Sequence, residues 1–172
     1  MVLRSQPVSA ARALLLRGLR FALMLVLTVA LGTSLLAGEA AAAKKVPTTI
    51  SPADMAAITR QAEGFLAARD RLPELATLVN DRDWVFTRNL IHGPMQEVSR
   101  EMLYINQRLL PADRPEATKR ANNLKSALAE LDEAARLQDG EALRKAYIKV
   151  ASGFGLYAQV LPEPVKQELK QI

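Results

Sequence analysis

Apolar residues recur at alternating steps of three and four along most of the chain after residue 57. This spacing places side chains on one face of an α-helix, which completes a turn every 3.6 residues. The pattern therefore predicts four helical stretches, and no alternating pattern of useful length indicates a β-strand. The apolar positions are Ile58, Ala62, Phe65, Leu72, Ala76 and Val79 in the first stretch; Met95, Val98, Met102, Ile105 and Leu109 in the second; Ala117, Ala121, Leu124, Leu128, Leu131 and Ala135 in the third; and Leu143, Tyr147, Val150, Phe154, Tyr157 and Leu161 in the fourth.

The first stretch contains a signal for its start and a signal for a break. Ser51 is a good N-cap because its hydroxyl can accept a hydrogen bond from an amide of the first turn. Pro73 lies inside the apolar pattern, lacks an amide hydrogen and crowds the preceding turn. We therefore expect Pro73 to kink the helix or to start a second segment near Arg71.

The second stretch, residues 81–111, is the central element of the chain, with the only Trp and the only His. Asp81 is expected to cap its N-terminus, because a short carboxylate can accept a hydrogen bond from a first-turn amide. Gly93 and Pro94 interrupt the pattern, so the helix must kink or restart there. The expectation is one long helix with one bend.

The third and fourth stretches predict two long helices with a short connection. The third helix should have Pro115 in its first turn and end near Gly140, and the fourth should cover about residues 141–161. Each glycine within a helix costs roughly 1 kcal/mol relative to alanine. Gly153 and Gly155 therefore suggest a packing requirement, such as close contact with the bulky central helix.

Four helices with short connections predict an all-α fold, an up-down-up-down four-helix bundle, because short connections force neighbouring helices to be antiparallel. The predicted organisation is a signal peptide at residues 1–43, a linker at 44–50, the bundle at 51–162 and a C-terminal tail at 163–172. The tail is expected to form a frayed turn from Val165 onwards.

Residues 1–43 have the features of a cleavable signal peptide. Four arginines precede Phe21, and an apolar run follows at residues 21–36, which is shorter than the ~20 residues that span a bilayer. Small residues then favour cleavage after Ala42 or Ala43; the alternative is an uncleaved membrane anchor. Four arginines and one acid lie in this segment, so the net charge falls from +5 to +2 without it. The high pI is therefore no argument for binding nucleic acid.

The chain contains no cysteine. This excludes disulfides, thiolate metal sites, cysteine nucleophiles, covalently attached c-type haem and a lipid anchor on cysteine. Association with a membrane would then have to come through protein partners.

His92 is the best single candidate for a ligand of a metal or a haem. A carboxylate-bridged metal bundle needs Glu-x-x-His pairs, but Asn89 occupies the position three before His92. We favour an imidazole at a helix end that hydrogen-bonds a nearby carbonyl or faces a partner. The acidic clusters are expected to be solvated helix surface: Asp81 with Asp83, Glu97 with Glu101, and Glu130 with Asp132 and Glu133. No nucleotide loop or nucleophile elbow occurs, so we expect a protein that is not an enzyme.

Basic and aromatic side chains of the central stretch could contact a partner. Trp84 is either an anchor for a partner or a side chain that closes the end of the bundle. The basic candidates for docking on an acidic surface are Arg82, Arg88, Arg100 and Arg108 of the central stretch, with Lys119, Arg120 and Lys125 of the third helix. Such docking would weaken with salt, and the alternative is ordinary solubility.

The central stretch resembles PsbQ, the extrinsic photosystem II subunit, in its cyanobacterial form. The matching residues are Asp83, Trp84, Asn89, Ile91, His92, Gly93 and Pro94, followed by Leu109, Leu110 and Pro111. The resemblance covers about residues 51–162. Cyanobacterial relatives usually have a lipobox cysteine after the apolar leader, and this chain has none.

The resemblance implies a non-catalytic subunit on the lumenal side of the thylakoid membrane that binds no cofactor directly. Such a subunit stabilises the oxygen-evolving complex, helps to retain Ca²⁺ and Cl⁻ near the manganese cluster, and contacts the photosystem II core and other extrinsic subunits. Our hypothesis is that the docking surface comprises Arg82, Trp84, Arg88, His92 and Pro94. The alternatives are an exported four-helix protein that binds a metal or haem in the periplasm, and an export-pathway chaperone.

Overall fold

The computed structural model describes residues 47–168, and this part of the chain is all-α, as predicted. It contains no strand and the following helices: α1 (Pro52–Arg69), α2 (Leu72–Asn80), α3 (Trp84–His92), α4 (Val98–Arg108), α5 (Arg114–Arg136), α6 (Gly140–Ala158) and α7 (Glu163–Glu168). The predicted signal peptide and the start of the linker lie outside the described residues.

The helices pack side by side around one apolar core. Helix α1 packs on α4 and α2 packs on α3, while α3 and α4 both pack on α5. Helix α5 packs on α6, and α6 returns to α2. The predicted apolar positions of the central stretch and of α5 are all buried, whereas Leu72, Ala76 and Tyr147 are only partly buried.

Three aromatic side chains form the centre of the core. The ring of Phe65 on α1 lies 5.3 Å from the ring of Phe154 and 5.0 Å from that of Tyr157, both on α6. The Tyr157 hydroxyl donates to the backbone oxygen of Met102 at 3.1 Å and to Oδ1 of Asn106 at 2.9 Å. Burial raises the pKa of this hydroxyl, so it remains a donor. These contacts join α1, α4 and α6.

The first predicted helix is divided into α1 and α2, which confirms the second segment near Arg71. Ser51 caps α1 by accepting a hydrogen bond from the Asp54 amide at 3.1 Å. Arg71 is the N-cap residue of α2, and Pro73 occupies its first turn, where a missing amide hydrogen removes no helical hydrogen bond.

The central stretch restarts at its Gly-Pro pair instead of continuing as one bent helix. Residues 93–97 form turns between α3 and α4. A Cβ atom on Gly93 would lie 2.8 Å from the backbone oxygen of Asn89, so a larger residue would force this turn to move. The prediction that Asp81 caps the central helix is wrong. Asp83 is the cap, and its carboxylate accepts from the Phe86 amide at 3.0 Å.

Asp81 cannot cap α3 because it still belongs to the end of α2, with φ −78° and ψ −5°. The turn after it is a Schellman motif, in which the Asp83 amide donates to the Leu78 oxygen at 2.9 Å. Arg82 occupies the left-handed position of this motif with φ 53°. The turn between α5 and α6 has the same hydrogen-bond pattern, with Gln138 at φ 58°. In both turns the next residue is an aspartate that caps the following helix.

The glycines of α6 have different surroundings. A Cβ on Gly153 would lie 3.0 Å from Cδ1 of Leu124, so the predicted close contact exists. Its partner is α5, however, and not the central stretch. A Cβ on Gly155 would meet no atom within 4 Å, so the expectation of a packing requirement is wrong there.

The predicted C-terminal tail is helical where it is described. Helix α7 contacts α1, and Val165 is buried in the core. The buried side chain explains why this short segment is held against the other helices.

Candidate docking surface

The five residues of the hypothesised docking surface all lie on α3 or in the turns at its two ends. Arg82 and Pro94 are exposed in those turns, and His92 is exposed at the last position of α3. Trp84 and Arg88 are partly buried. No contact in the described structure tests whether these residues bind a partner, so their role remains a prediction.

Arg88 and His92 share one acidic partner, Asp132 of α5. Arg88 Nε donates to Oδ1 of Asp132 at 2.9 Å, and His92 Nε2 lies 2.8 Å from the same oxygen. The Asp132 side chain is 23% exposed, against 41% for Arg88 and 59% for His92. This cluster fastens α3 to α5.

Asp132 is held in its charged form. Burial raises the pKa of its carboxyl group, but the hydrogen bonds and charges of Arg88 and His92 outweigh burial and lower the pKa below its ordinary value of 3.8. The Asp132 carboxylate therefore neutralises Arg88, whose charge the sequence alone suggested was available for a partner. The imidazole does hydrogen-bond at a helix end, but to a carboxylate and not to a carbonyl.

Trp84 packs against the core at the start of α3. The next two residues, Val85 and Phe86, are 66% and 60% exposed. The apolar periodicity of the chain does not predict this pair, because neither residue fits the buried pattern. The sequence signal that could have identified the pair is two adjacent large apolar residues outside the buried pattern.

Three of the other six basic candidates are also paired within the chain. Arg100 pairs with Glu97, Arg108 lies 4.0 Å from Asp54, and Arg120 pairs with Glu116 at 2.7 Å. Within residues 47–168, the three candidates with no ion pair to a carboxylate are Arg82, Lys119 and Lys125. Arg82 contacts the start of α6, at Gly140, instead of the Asp132 cluster.

The acidic cluster of α5 is likewise paired with neighbouring cations. Glu130 pairs with Lys149 at 2.5 Å, and Glu133 pairs with Arg136 at 2.6 Å. Among the described residues, no group of three or more His, Asp and Glu side chains is arranged to hold a metal ion. None of the helices in that part of the chain is long and apolar enough to cross a bilayer.

Comparison with known proteins gives two findings. A family model described as PsbQ, oxygen evolving enhancer protein 3, matches residues 2–162. The protein CyanoQ of Synechocystis sp. (strain ATCC 27184 / PCC 6803 / Kazusa) is 30% identical over 141 residues, which cover 81% of this chain and 95% of that relative.

Proposed function

The chain belongs to the PsbQ family of extrinsic photosystem II subunits, and we propose that it stabilises the oxygen-evolving complex from the lumenal side of the thylakoid membrane. The observation that carries this proposal is the match to the family over nearly the whole chain. We propose a structural role and no catalysis, because Arg88 and His92 of α3 and Asp132 of α5 are occupied by one another.

We further propose that the protein acts as a brace with the up-down-up-down topology of a four-helix bundle. The helix contacts support this topology. If α1 with α2 and α3 with α4 each count as one interrupted helix, these two together with α5 and α6 make four helices, each of which packs on the next, and the last packs on the first. Such a body would cover neighbouring photosystem II subunits, including the manganese-stabilising extrinsic protein and the large inner antenna subunit. It would hold Ca²⁺ and Cl⁻ near the manganese cluster by limiting their escape, without binding a cofactor itself.

The proposed docking surface includes α3 and its turns. The exposed Val85 and Phe86 support this surface, because exposed neighbouring apolar side chains are typical of protein contacts. The unpaired Arg82 supports a contact with an acidic partner. Membrane association would come through these protein contacts, since the chain offers no cysteine for a lipid.

Rebinding tests the proposal. Photosystem II membranes stripped of extrinsic subunits would be incubated with the processed protein, and oxygen evolution would be measured as CaCl₂ is withdrawn. We expect activity to persist to lower CaCl₂ when the protein is bound. Binding with an unchanged CaCl₂ requirement would contradict the role in ion retention, and absence of binding would contradict the assignment as a subunit.

A further inference from the structure

A depression of about 340 Å³ between the turn before α3 and the start of α6 is rich in positive charge. It is lined by Arg82, Gly140, Glu141, Arg144, Lys145 and Ile148. Lys145 pairs with Glu141 at 2.5 Å. Neither Arg82 nor Arg144 has an ion pair among residues 47–168. The depression therefore holds two guanidinium groups that form no ion pair within the described part of the chain.

The backbone on both sides of the depression accommodates the Arg82 side chain beside the start of α6. Arg82 adopts φ 53°, a conformation in which glycine is preferred and a residue with a side chain is strained. On the other side, Gly140 is the first residue of α6, and a Cβ there would lie 3.1 Å from Nε of Arg82. A strained arginine thus faces a helical glycine that leaves room for it.

An uncharged strip continues from the depression along α6. Arg144, Ile148, Ser152 and Gly155 are all exposed and follow one another at steps of four, four and three, so they share one face of the helix. Ile148 is 58% exposed, and the space above Gly155 is open. Beyond Arg144, this row of positions offers a partner segment one exposed apolar side chain, Ile148, and no charge.

We propose that the depression binds an acidic segment of a partner protein, with a carboxylate between Arg82 and Arg144 and an adjacent apolar side chain on Ile148. The two forked guanidinium groups suit a carboxylate, since each can donate two parallel hydrogen bonds to it. This inference rests on the proposed function, in which the partner is a photosystem II subunit. The electrostatic contact with the partner would then involve Arg82 and Arg144. Arg88 would not take part, because Asp132 already neutralises it.

Two variants and their matched controls test the proposal. Arg82→Gly removes one guanidinium, and Gln138→Gly makes the same backbone change in the equivalent turn without loss of charge. Because both positions have the positive φ that glycine prefers, both variants should melt at or above the temperature of the unaltered protein. Arg144→Gln removes the second guanidinium, and Arg60→Gln removes an exposed guanidinium of α1 that is not part of the depression.

Affinity for stripped photosystem II membranes would be measured in low salt with the processed protein and each variant. We expect roughly tenfold weaker binding for Arg82→Gly and Arg144→Gln, equivalent to the loss of ~1.4 kcal/mol, and unchanged binding for both controls. If the unaltered protein binds and both arginine variants bind as tightly as it does, the inference is wrong and the proposed function stands. If the unaltered protein does not bind, the proposed function fails and the inference fails with it.

A cross-link identifies the partner group. Arg144→Lys places an amine in the depression, and a carbodiimide joins amines to nearby carboxylates. We expect a product that joins position 144 to an Asp or Glu of a photosystem II subunit. A variant that binds normally but links only to Glu141 within its own chain would overturn the assignment of a carboxylate partner.

Discussion

Replacement of Asp132 by asparagine should measure the strength of the cluster that fastens α3 to α5. Asparagine keeps the shape of the side chain, but it removes the negative charge that pairs with Arg88 and hydrogen-bonds His92. A hydrogen bond to a charged group contributes about 1.5–3 kcal/mol, and exposed pairs contribute at most ~1 kcal/mol. Because both partners are about half exposed, we expect Asp132→Asn to lower the free energy of unfolding by about 1–2 kcal/mol.

Urea denaturation and thermal melting at pH 7 provide the assay, and the loss corresponds to roughly 4–8 °C in Tm for a domain of this size. The control is Glu133→Gln, which removes an exposed carboxylate paired with Arg136 within α5 and should change stability by less than ~0.5 kcal/mol. Equal effects of the two substitutions would refute the reasoning, because the Asp132 cluster would then be worth no more than a surface pair.

The pH dependence provides a second check on Asp132. Its folded-state pKa is lowered below 3.8, so its stabilising contribution is fully present above that value. The contribution is lost as the pH falls through the lowered folded-state pKa. The difference in unfolding free energy between the unaltered protein and Asp132→Asn should therefore shrink in acid below about pH 4. A difference that grows below that pH would show that the carboxylate is not the stabilising species.

Four further substitutions test the packing and hydrogen bonding of the helices. The hydroxyl of Thr87 is buried without a hydrogen-bond partner in the described structure, so Thr87→Val should raise the free energy of unfolding by about 1 kcal/mol; a loss would mean that the hydroxyl is satisfied. Gly155→Ala should stabilise α6 by up to ~1 kcal/mol, whereas Gly153→Ala, which would press on Leu124, should destabilise by about 1 kcal/mol; equal signs would contradict the packing. Tyr157→Phe removes a buried donor from two acceptors and should cost about 1–2 kcal/mol in urea denaturation, and an unchanged midpoint would refute its role.

The all-α class and most of the core could be predicted from the sequence because both depend on local periodicity. Ala117, Leu124 and Leu131 follow the helical repeat, and the structure buries all three. Pro73 and Gly93 also identified real breaks, since a missing amide hydrogen or a missing side chain acts on its immediate neighbours.

Features that depend on contacts between distant residues could not be predicted in this way. Asp132 is 44 residues from Arg88 and 40 from His92, so no spacing rule places the three together. The error at Asp81 has a local cause. Helix α2 ends with a left-handed residue that is usually glycine, and an arginine at this position concealed the turn.

The claim that this chain is an extrinsic subunit of photosystem II can be tested in its native host. The most direct measurement is co-purification from the native host, with a C-terminal tag, from thylakoids isolated in low salt. We expect photosystem II subunits to accompany the protein in low salt and to be released in high salt, because exposed charges are screened beyond ~10 Å at 0.1 M salt. Elution of the protein alone, from thylakoids that contain intact photosystem II, would contradict the claim.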